Sequence, residues 1–297
     1  MLAKIIDGKK IAEEIKKEVK QKTLQLKNER GITPGLAFIL VGDSPSSQSY
    51  VKSKNKACDE VGFYSITEKL PASTPSVNVL NLIRQFNLDD NFHGILVQLP
   101  LTQQISEQNI IEAIDYKKDV DGFHPINVGK LIIGQDCPRP CTPAGIQELL
   151  IRYGIETSGK HVVVVGRSNI VGKPIANILF QKKEGANAVV TIAHTGTNDL
   201  SYYTKQADIL IAAIGKPKFI TGDMVKPGAV VIDVGINRIA DATAKNGSRI
   251  VGDVDFDSVV NTASAISPVP GGVGPMTIAM LLLNTLKAAE KSLMSER

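Results

Sequence analysis

Three stretches of this chain are apolar at every position: Phe38-Ile39-Leu40-Val41, Ile95-Leu96-Val97 and Val162-Val163-Val164-Val165. A strand with water on one side alternates polar and apolar residues, whereas a continuous apolar run must be covered on both faces. Segments of helical period separate these runs. A helix with Ile11, Ile15 and Val19 on one side precedes a strand at Gly35–Gly42, and a helix over Ser46–Val61 follows it. Then come a strand near Phe63–Thr67, a helix over Ser76–Asn87, the strand His93–Leu99 and a helix near Ser106–Ile114. Strand and helix in strict turn predict an α/β fold with a parallel sheet.

After Asp115 the chain becomes polar and Pro-rich, through Asp119, Asp121, Pro125, Pro138, Pro140 and Pro143, which reads as the crossing between two domains. Thr142-Pro143 then has the form of an N-cap followed by proline at the first helical position. A second series of strands is expected at His161–Gly166, Ala188–His194, Asp208–Gly215 and Val230–Gly235, and a last, strongly apolar helix over Met276–Leu293. At 297 residues two ordinary domains, each with its own core, are the natural division.

Composition narrows the function classes. The chain is 43% hydrophobic and 22% charged, and no run approaches the roughly 18 apolar residues of a membrane span. Lys4, Asp7, Lys9, Lys10, Glu13 and Glu14 break up the amino terminus, so no secretory signal is expected there, and a cytoplasmic location is favoured. The net charge of +4 is dispersed, which argues against nucleic acid and leaves room for an anionic ligand. Cys58, Cys137 and Cys141 form an odd set that fits reduced thiols. No metal site is expected: prolines separate Cys137 from Cys141, and neither Asp119-x-Asp121-Gly122 nor Asp253-x-Asp255-x-Asp257 has the acids of a calcium loop. Both acidic clusters read as loop carboxylates.

The chemistry centres on Lys54. At about 100° per residue, Tyr50, Val51, Ala57, Cys58 and Val61 lie within roughly 60° of it, while Lys52 and Lys56 point the other way. An ammonium on an apolar stripe needs a partner, and such a group suits acid, base or electrostatic catalysis; the bland alternative is a lysine that snorkels to water. The strand His93–Leu99 delivers a single amide, Gln98, at its carboxyl end, where α/β sheets build their sites. Taken alone, Gln98 reads equally as a strand-end hydrogen-bonder and Tyr50 as core.

A second site is expected where the strand His161–Val165 runs into Gly166 and a helix, the context of a dinucleotide-binding turn. The glycine spacing is irregular, with Ser168 at the second position and Gly172 one residue late. Gly166 allows the sharp turn, the helix start offers N–H groups to a pyrophosphate and Ser168 adds a hydroxyl, although a tight turn without a nucleotide satisfies the same pattern. The next strand ends in His194-Thr195-Gly196-Thr197 with no acid for the ribose hydroxyls, and Glu184 falls before that strand. With Arg167 in the turn, NADP is expected over NAD.

The strings Tyr50-x-x-x-Lys54, Val97-Gln98-Leu99-Pro100-Leu101, Lys118-Asp119-Val120-Asp121-Gly122-Phe123, Gly166-Arg167-Ser168-Asn169-Ile170-Val171-Gly172-Lys173-Pro174 and Pro268-Val269-Pro270-Gly271-Gly272-Val273-Gly274-Pro275-Met276-Thr277 stand in this order. Together they resemble the bifunctional methylenetetrahydrofolate dehydrogenase/cyclohydrolase family, over about Ile6 to Leu286. The resemblance implies a catalytic folate-binding domain at 1–140 completed by a C-terminal helix at 275–297, and a Rossmann-type NADP domain at 141–274. It implies a catalytic group of Lys54, Gln98, Asp121 and Tyr50, with Gln98 orienting Lys54, Tyr50 stacking on the folate and Asp121 holding the pterin. It adds Leu99, Pro270 and Gly271 as substrate contacts, and Gly166, Arg167, Ser168, Thr195 and Ile236 as cofactor contacts. Tetrahydrofolate one-carbon derivatives and a homodimer follow from it as partners. Competing expectations are a monofunctional or NAD-dependent dehydrogenase, a non-catalytic nucleotide-binding protein, and an amino-acid or shikimate dehydrogenase of similar two-domain build.

Overall fold

The computed structural model describes residues 2–243 and 247–293. Its strands are β1 Lys4–Ile5, β2 Gly35–Val41, β3 Tyr64–Leu70, β4 Gly94–Val97, β5 His161–Val165, β6 Val189–Ala193, β7 Ile209–Ala212, β8 Val230–Asp233, β9 Asn237–Ala240, β10 Ser248–Val251 and β11 Ala265–Ile266. Its helices are α1 Gly8–Arg30, α2 Pro45–Val61, α3 Ser76–Leu88, α4 Glu107–Ala113, α5 Pro125–Ile132, α6 Cys141–Arg152, α7 Gly172–Leu179, α8 Leu200–Thr204, α9 Phe256–Val259 and α10 Val273–Ser292. The chain divides into two compact units, one of residues 1–12 with 142–277, the other of 13–141 with 278–297.

The smaller sheet, in the second of these units, has the order β3-β2-β4 and is parallel throughout. All seven residues of β2 and all four of β4 are buried, as the unbroken apolar runs require. Ile39, Ile95 and Val97 pack with Val79, Ile83 and Phe86 of α3 and Ile110 of α4. Because β2 sits between β3 and β4, the chain leaves it to opposite sides, and the crevice beyond the carboxyl ends of β2 and β4 is where such a sheet takes ligands.

The other unit carries a six-stranded parallel sheet of order β1-β11-β8-β7-β5-β6. Val163, Val165, Leu210, Val231 and Ile266 form its core. Here β5 lies between β6 and β7, so the switch point falls at the end of β5, beside Gly166.

Several expectations need correction. Residues 1–12 do not group with the catalytic part expected at 1–140: Lys4 and Ile5 pair with Ala265 and Ile266, which makes β1 an edge strand of the six-stranded sheet. The Pro-rich crossing contains a helix, α5, started by Pro125 at its first turn and by His124, whose Nδ1 accepts from the Ile126 N–H at 3.1 Å. Helix α6 begins at Cys141, before the expected cap Thr142, whose hydroxyl meets that of Thr277 at 2.9 Å. The antiparallel pair β9–β10 was not anticipated. Of the C-terminal helix expected at 275–297, residues 294–297 lie outside the described residues.

Candidate active site and dinucleotide turn

Helix α2 follows β2 and turns Ser47, Val51, Lys54, Ala57, Cys58 and Val61 inward. Lys54 is only 8% exposed. Asn55 fixes the roll of the helix: its amide nitrogen donates to Thr67 Oγ1 at 2.7 Å and its oxygen accepts from the Ser65 hydroxyl at 3.2 Å, both on β3. The ammonium then reaches Gln98, donating to Oε1 at 3.0 Å. Gln98 continues the ladder of β4 through its N–H to Ile39 O at 2.9 Å, and its side-chain nitrogen donates to Leu99 O at 2.7 Å, so the amide can present only oxygen to the lysine. Tyr50, one turn before Lys54, is 46% exposed, which excludes the core reading and leaves a ring face open to a ligand.

Asp121 is brought to the same place by its neighbour Asp119. That carboxylate, 2% exposed, accepts from the Gly122 and His124 N–H groups at 3.0 and 2.8 Å and from Asn127 Nδ2 at 2.9 Å. Gly122 has φ +76°, and a side chain there would meet the backbone of Arg139 and Pro140. From α10, the Asn284 amide donates to Val120 O and Arg139 O, both at 2.9 Å. Burial raises the Asp121 carboxyl above the ordinary carboxylate range, and the nearby Lys54 charge opposes that rise. The Cys141 thiol, within reach of Asp121, is likewise raised well above its usual value by burial. Asp119 was read only as a loop carboxylate, and Asn284 escaped the sequence reading; a lone amide in the apolar run of α10 was the available signal for it.

In the other unit, Gly166 has φ +134°, and a Cβ there would strike Ala213 O, so only glycine makes this turn. Ser168 Oγ accepts from the Val171 and Gly172 N–H groups at 3.1 and 3.3 Å, so the serine caps α7 and keeps its own hydroxyl hydrogen for a ligand. Arg167, Thr195 and Ile236 are exposed. A glycine turn at the switch point, the Ser168 hydroxyl and an exposed guanidinium are the donor set a dinucleotide phosphate requires, and the residues fit one. Pro270 is exposed, and Gly271 O accepts from the Lys9 N–H at 2.9 Å. These two expected substrate contacts thus belong to the same unit as the turn, apart in the chain from Lys54 and Gln98.

Two buried acids hold the loops around that turn. Asp253, 0% exposed, accepts from the Ile214 and Gly215 N–H groups after β7 and from the Asn237 amide after β8. Asp233 accepts from the Gly235, Asp253 and Val254 N–H groups at 2.9, 2.9 and 3.0 Å. Asp253 is in a loop, as expected, but a fully buried one; its partners lie 16 to 39 residues away in the chain, beyond any local pattern. Burial pushes Asp233 up to about 6 from 3.8, against the pull of those N–H groups. The folded chain keeps this proton where the unfolded chain has lost it, so the group's contribution to stability is full below about pH 4 and is lost as pH rises through 6. At about 1.36 kcal/mol per unit the loss is roughly 3 kcal/mol. A carboxyl carbon NMR titration should place the Asp233 midpoint near 6, and a midpoint at the free-aspartate value would refute the assignment.

One parallel-sheet unit with a buried lysine–amide pair and another with a phosphate-accepting turn define a dinucleotide-dependent α/β enzyme with a separate catalytic domain. The family model described as tetrahydrofolate dehydrogenase/cyclohydrolase, catalytic domain, matches residues 6–121, and that described as tetrahydrofolate dehydrogenase/cyclohydrolase, NAD(P)-binding domain, matches residues 140–293. The chain belongs to the tetrahydrofolate dehydrogenase/cyclohydrolase family and is a bifunctional enzyme of that type. The bifunctional protein FolD of Chlorobium phaeovibrioides is 59% identical over 290 residues, 97% of this chain and 98% of its own. That of Syntrophus aciditrophicus is 59% identical over 292 residues, 98% and 99% of the two chains. Among solved structures, the FolD of Campylobacter jejuni matches with a TM-score of 0.92 at 50% identity, covering 98% of this chain and 99% of that one. The Trypanosoma brucei methylenetetrahydrofolate dehydrogenase-cyclohydrolase, complexed with NADP and an inhibitor, matches with a TM-score of 0.92 at 38% identity, covering 99% of each.

Proposed function

We propose that the chain oxidises 5,10-methylenetetrahydrofolate with NADP and hydrolyses the methenyl product to 10-formyltetrahydrofolate, with Lys54 as the catalytic residue of the second step. The Lys54–Gln98 pair carries this reading. Oxidation needs little proton transfer, because the substrate nitrogen drives the hydride out and positioning dominates. NADP, when bound, supplies the hydride acceptor. Hydrolysis is different: water adds to the cationic methenyl carbon and gives up both protons as it becomes the formyl oxygen, one released and one balanced by the proton that a ring nitrogen gains as its bond to that carbon breaks. Lys54 stands against an oriented amide that holds its ammonium in place, and it serves the proton movement and the charge that develops at the folate. Asp121 accepts the N–H pair of the aminopyrimidine edge, Tyr50 stacks on the ring and Leu99 is a further substrate contact. Gly166, Ser168, Thr195 and Ile236 contact the cofactor, and Arg167 takes the 2′-phosphate. The protein works as a cytoplasmic homodimer without nucleic-acid or membrane partners.

Methylenetetrahydrofolate with NADP or NAD tests this, with reduced cofactor and methenyl compound followed together. NADP reduction without accumulating methenyl compound is the expected result; a persistent methenyl signal leaves the dehydrogenase alone, and no reduction removes the assignment. Arg167→Ala should raise the KM for NADP about tenfold and leave that for NAD unchanged, since only NADP carries the 2′-phosphate. Equal effects on the two cofactors would remove Arg167 from cofactor choice.

A further inference from the structure

The unit that carries Lys54 has a second concavity, at the opposite end of its sheet. A cleft of about 1060 Å³ opens where the strands begin, with Tyr64 at the start of β3 and His93 just before β4 among its walls. His93 and Gln98 bracket β4, so this cleft and the lysine–amide pair are separated by about 16 Å of extended chain. Its volume is at the upper end of the roughly 300–1,000 Å³ of small-molecule sites.

The walls differ in character from end to end. Tyr64 and Phe92 form an aromatic wall with ring centroids 5.5 Å apart, and Tyr64 is 48% exposed. Asp89, Asp90 and Asp115 also line the cleft, together with Lys117 and with Lys118, whose ammonium donates to Phe86 O and Asp89 O at 2.9 and 2.8 Å. Lys130, Lys287 and Lys291 line it as well, with Asp136, which Lys291 contacts at 2.6 Å. Lys130 Nζ lies 4.4 Å from the centre of the Tyr116 ring, itself a wall residue.

Behind the wall is an incomplete amide. Asn127 is 1% exposed and Nδ2 is spent on Tyr116 O at 2.7 Å and Asp119 Oδ2 at 2.9 Å, two acceptors that fix which way the amide faces. Its Oδ1 has no hydrogen-bond partner among the described residues. A buried acceptor in that condition calls for a donor, direct or through one water.

We propose that this cleft binds a purine nucleotide: a flat heterocycle with N–H donors on one edge, joined to a phosphate. The ring stacks on Tyr64, its N–H edge faces the aspartates and Asn127, and the phosphate meets Lys130 and Lys291. Tyr50, Lys54, Gln98 and Asp121 do not line this cleft, so the site is additional to the folate and dinucleotide contacts.

The test is an NMR titration of the full chain with GMP in the presence of saturating NADP, which occupies the dinucleotide site. Resonances of His93, Tyr64 and the Asn127 side-chain amide should move together, and Lys130→Glu and Tyr64→Ala should each weaken the GMP affinity at least tenfold while both enzyme activities persist. Tyr64 is a surface ring, so the second variant does not depend on α5 folding. Movement of the same resonances by inorganic phosphate at equal affinity, an unchanged affinity in both variants, or no movement up to millimolar GMP would each overturn the proposal.

Discussion

Replacing Lys54 by methionine is expected to lower hydrolysis of methenyltetrahydrofolate by about 10²–10⁴-fold, the range attached to a positioned acid or base. The side chains are close in length, and the site is 8% exposed, so methionine fills the space without opening a cavity. What disappears is the ammonium, and with it the 3.0 Å bond to Gln98 Oε1. The amide keeps its bond to Leu99 O and its ladder N–H, so the strand end stays in place. Absorbance of the methenyl compound in a stopped reaction reads the loss, and circular dichroism checks the fold. Hydrolysis at the parent rate would take Lys54 out of the mechanism, whereas a collapse of the fold would mean the pair is structural.

The second large effect is expected at Asp253. Alanine there strips the acceptor from the Ile214 and Gly215 N–H groups and from the Asn237 amide in a place that is 0% exposed. Each buried donor left without a partner costs about 1–3 kcal/mol, and part of this is relieved as the loops shift and admit water. A net loss of about 3–5 kcal/mol is therefore expected, large for a single change. Because those loops follow β7 and β8, beside the switch point at β5, NADP affinity should fall at least tenfold as well. Urea unfolding and cofactor titration measure the two effects. A change below about 1 kcal/mol with unaltered NADP binding would show that the loops hold their shape without the carboxylate.

How much of this was legible in the sequence follows from the range of the forces involved. Phe38–Val41 and Val162–Val165 announced doubly covered strands because composition alone carries that signal, and Lys54 stood out because a helical period made it an exception on its own face. Gln98 was visible as the one polar group ending an apolar strand. The orienting bond from Gln98 to Leu99 follows from the pair; the bonds that set the roll of α2 do not, since Asn55 reaches across to β3. Asp233, Asp253 and Asn284 were illegible for one reason: each is a polar residue with partners brought to it by the fold, up to 164 residues away for Asn284; the partners of Asp119 are local, at Gly122, His124 and Asn127, and only its burial was hidden. Tyr50 shows the converse, a residue whose period said interior and whose place beyond the sheet's end keeps it open. A two-residue strand such as β1 has too little pattern to be seen at all.

That small strand matters out of proportion to its length. Lys4 and Ile5 close the β11 side of the six-stranded sheet, and Ala3 and Ile6 add N–H bonds to Val260 O and Ile266 O at either side. A chain trimmed by its first dozen residues would keep every residue of both expected sites, yet it would present the main-chain groups of β11 as a bare hem. Such a hem pairs with any extended segment it meets, so the shortened enzyme would be limited by clumping in storage before it was limited by chemistry.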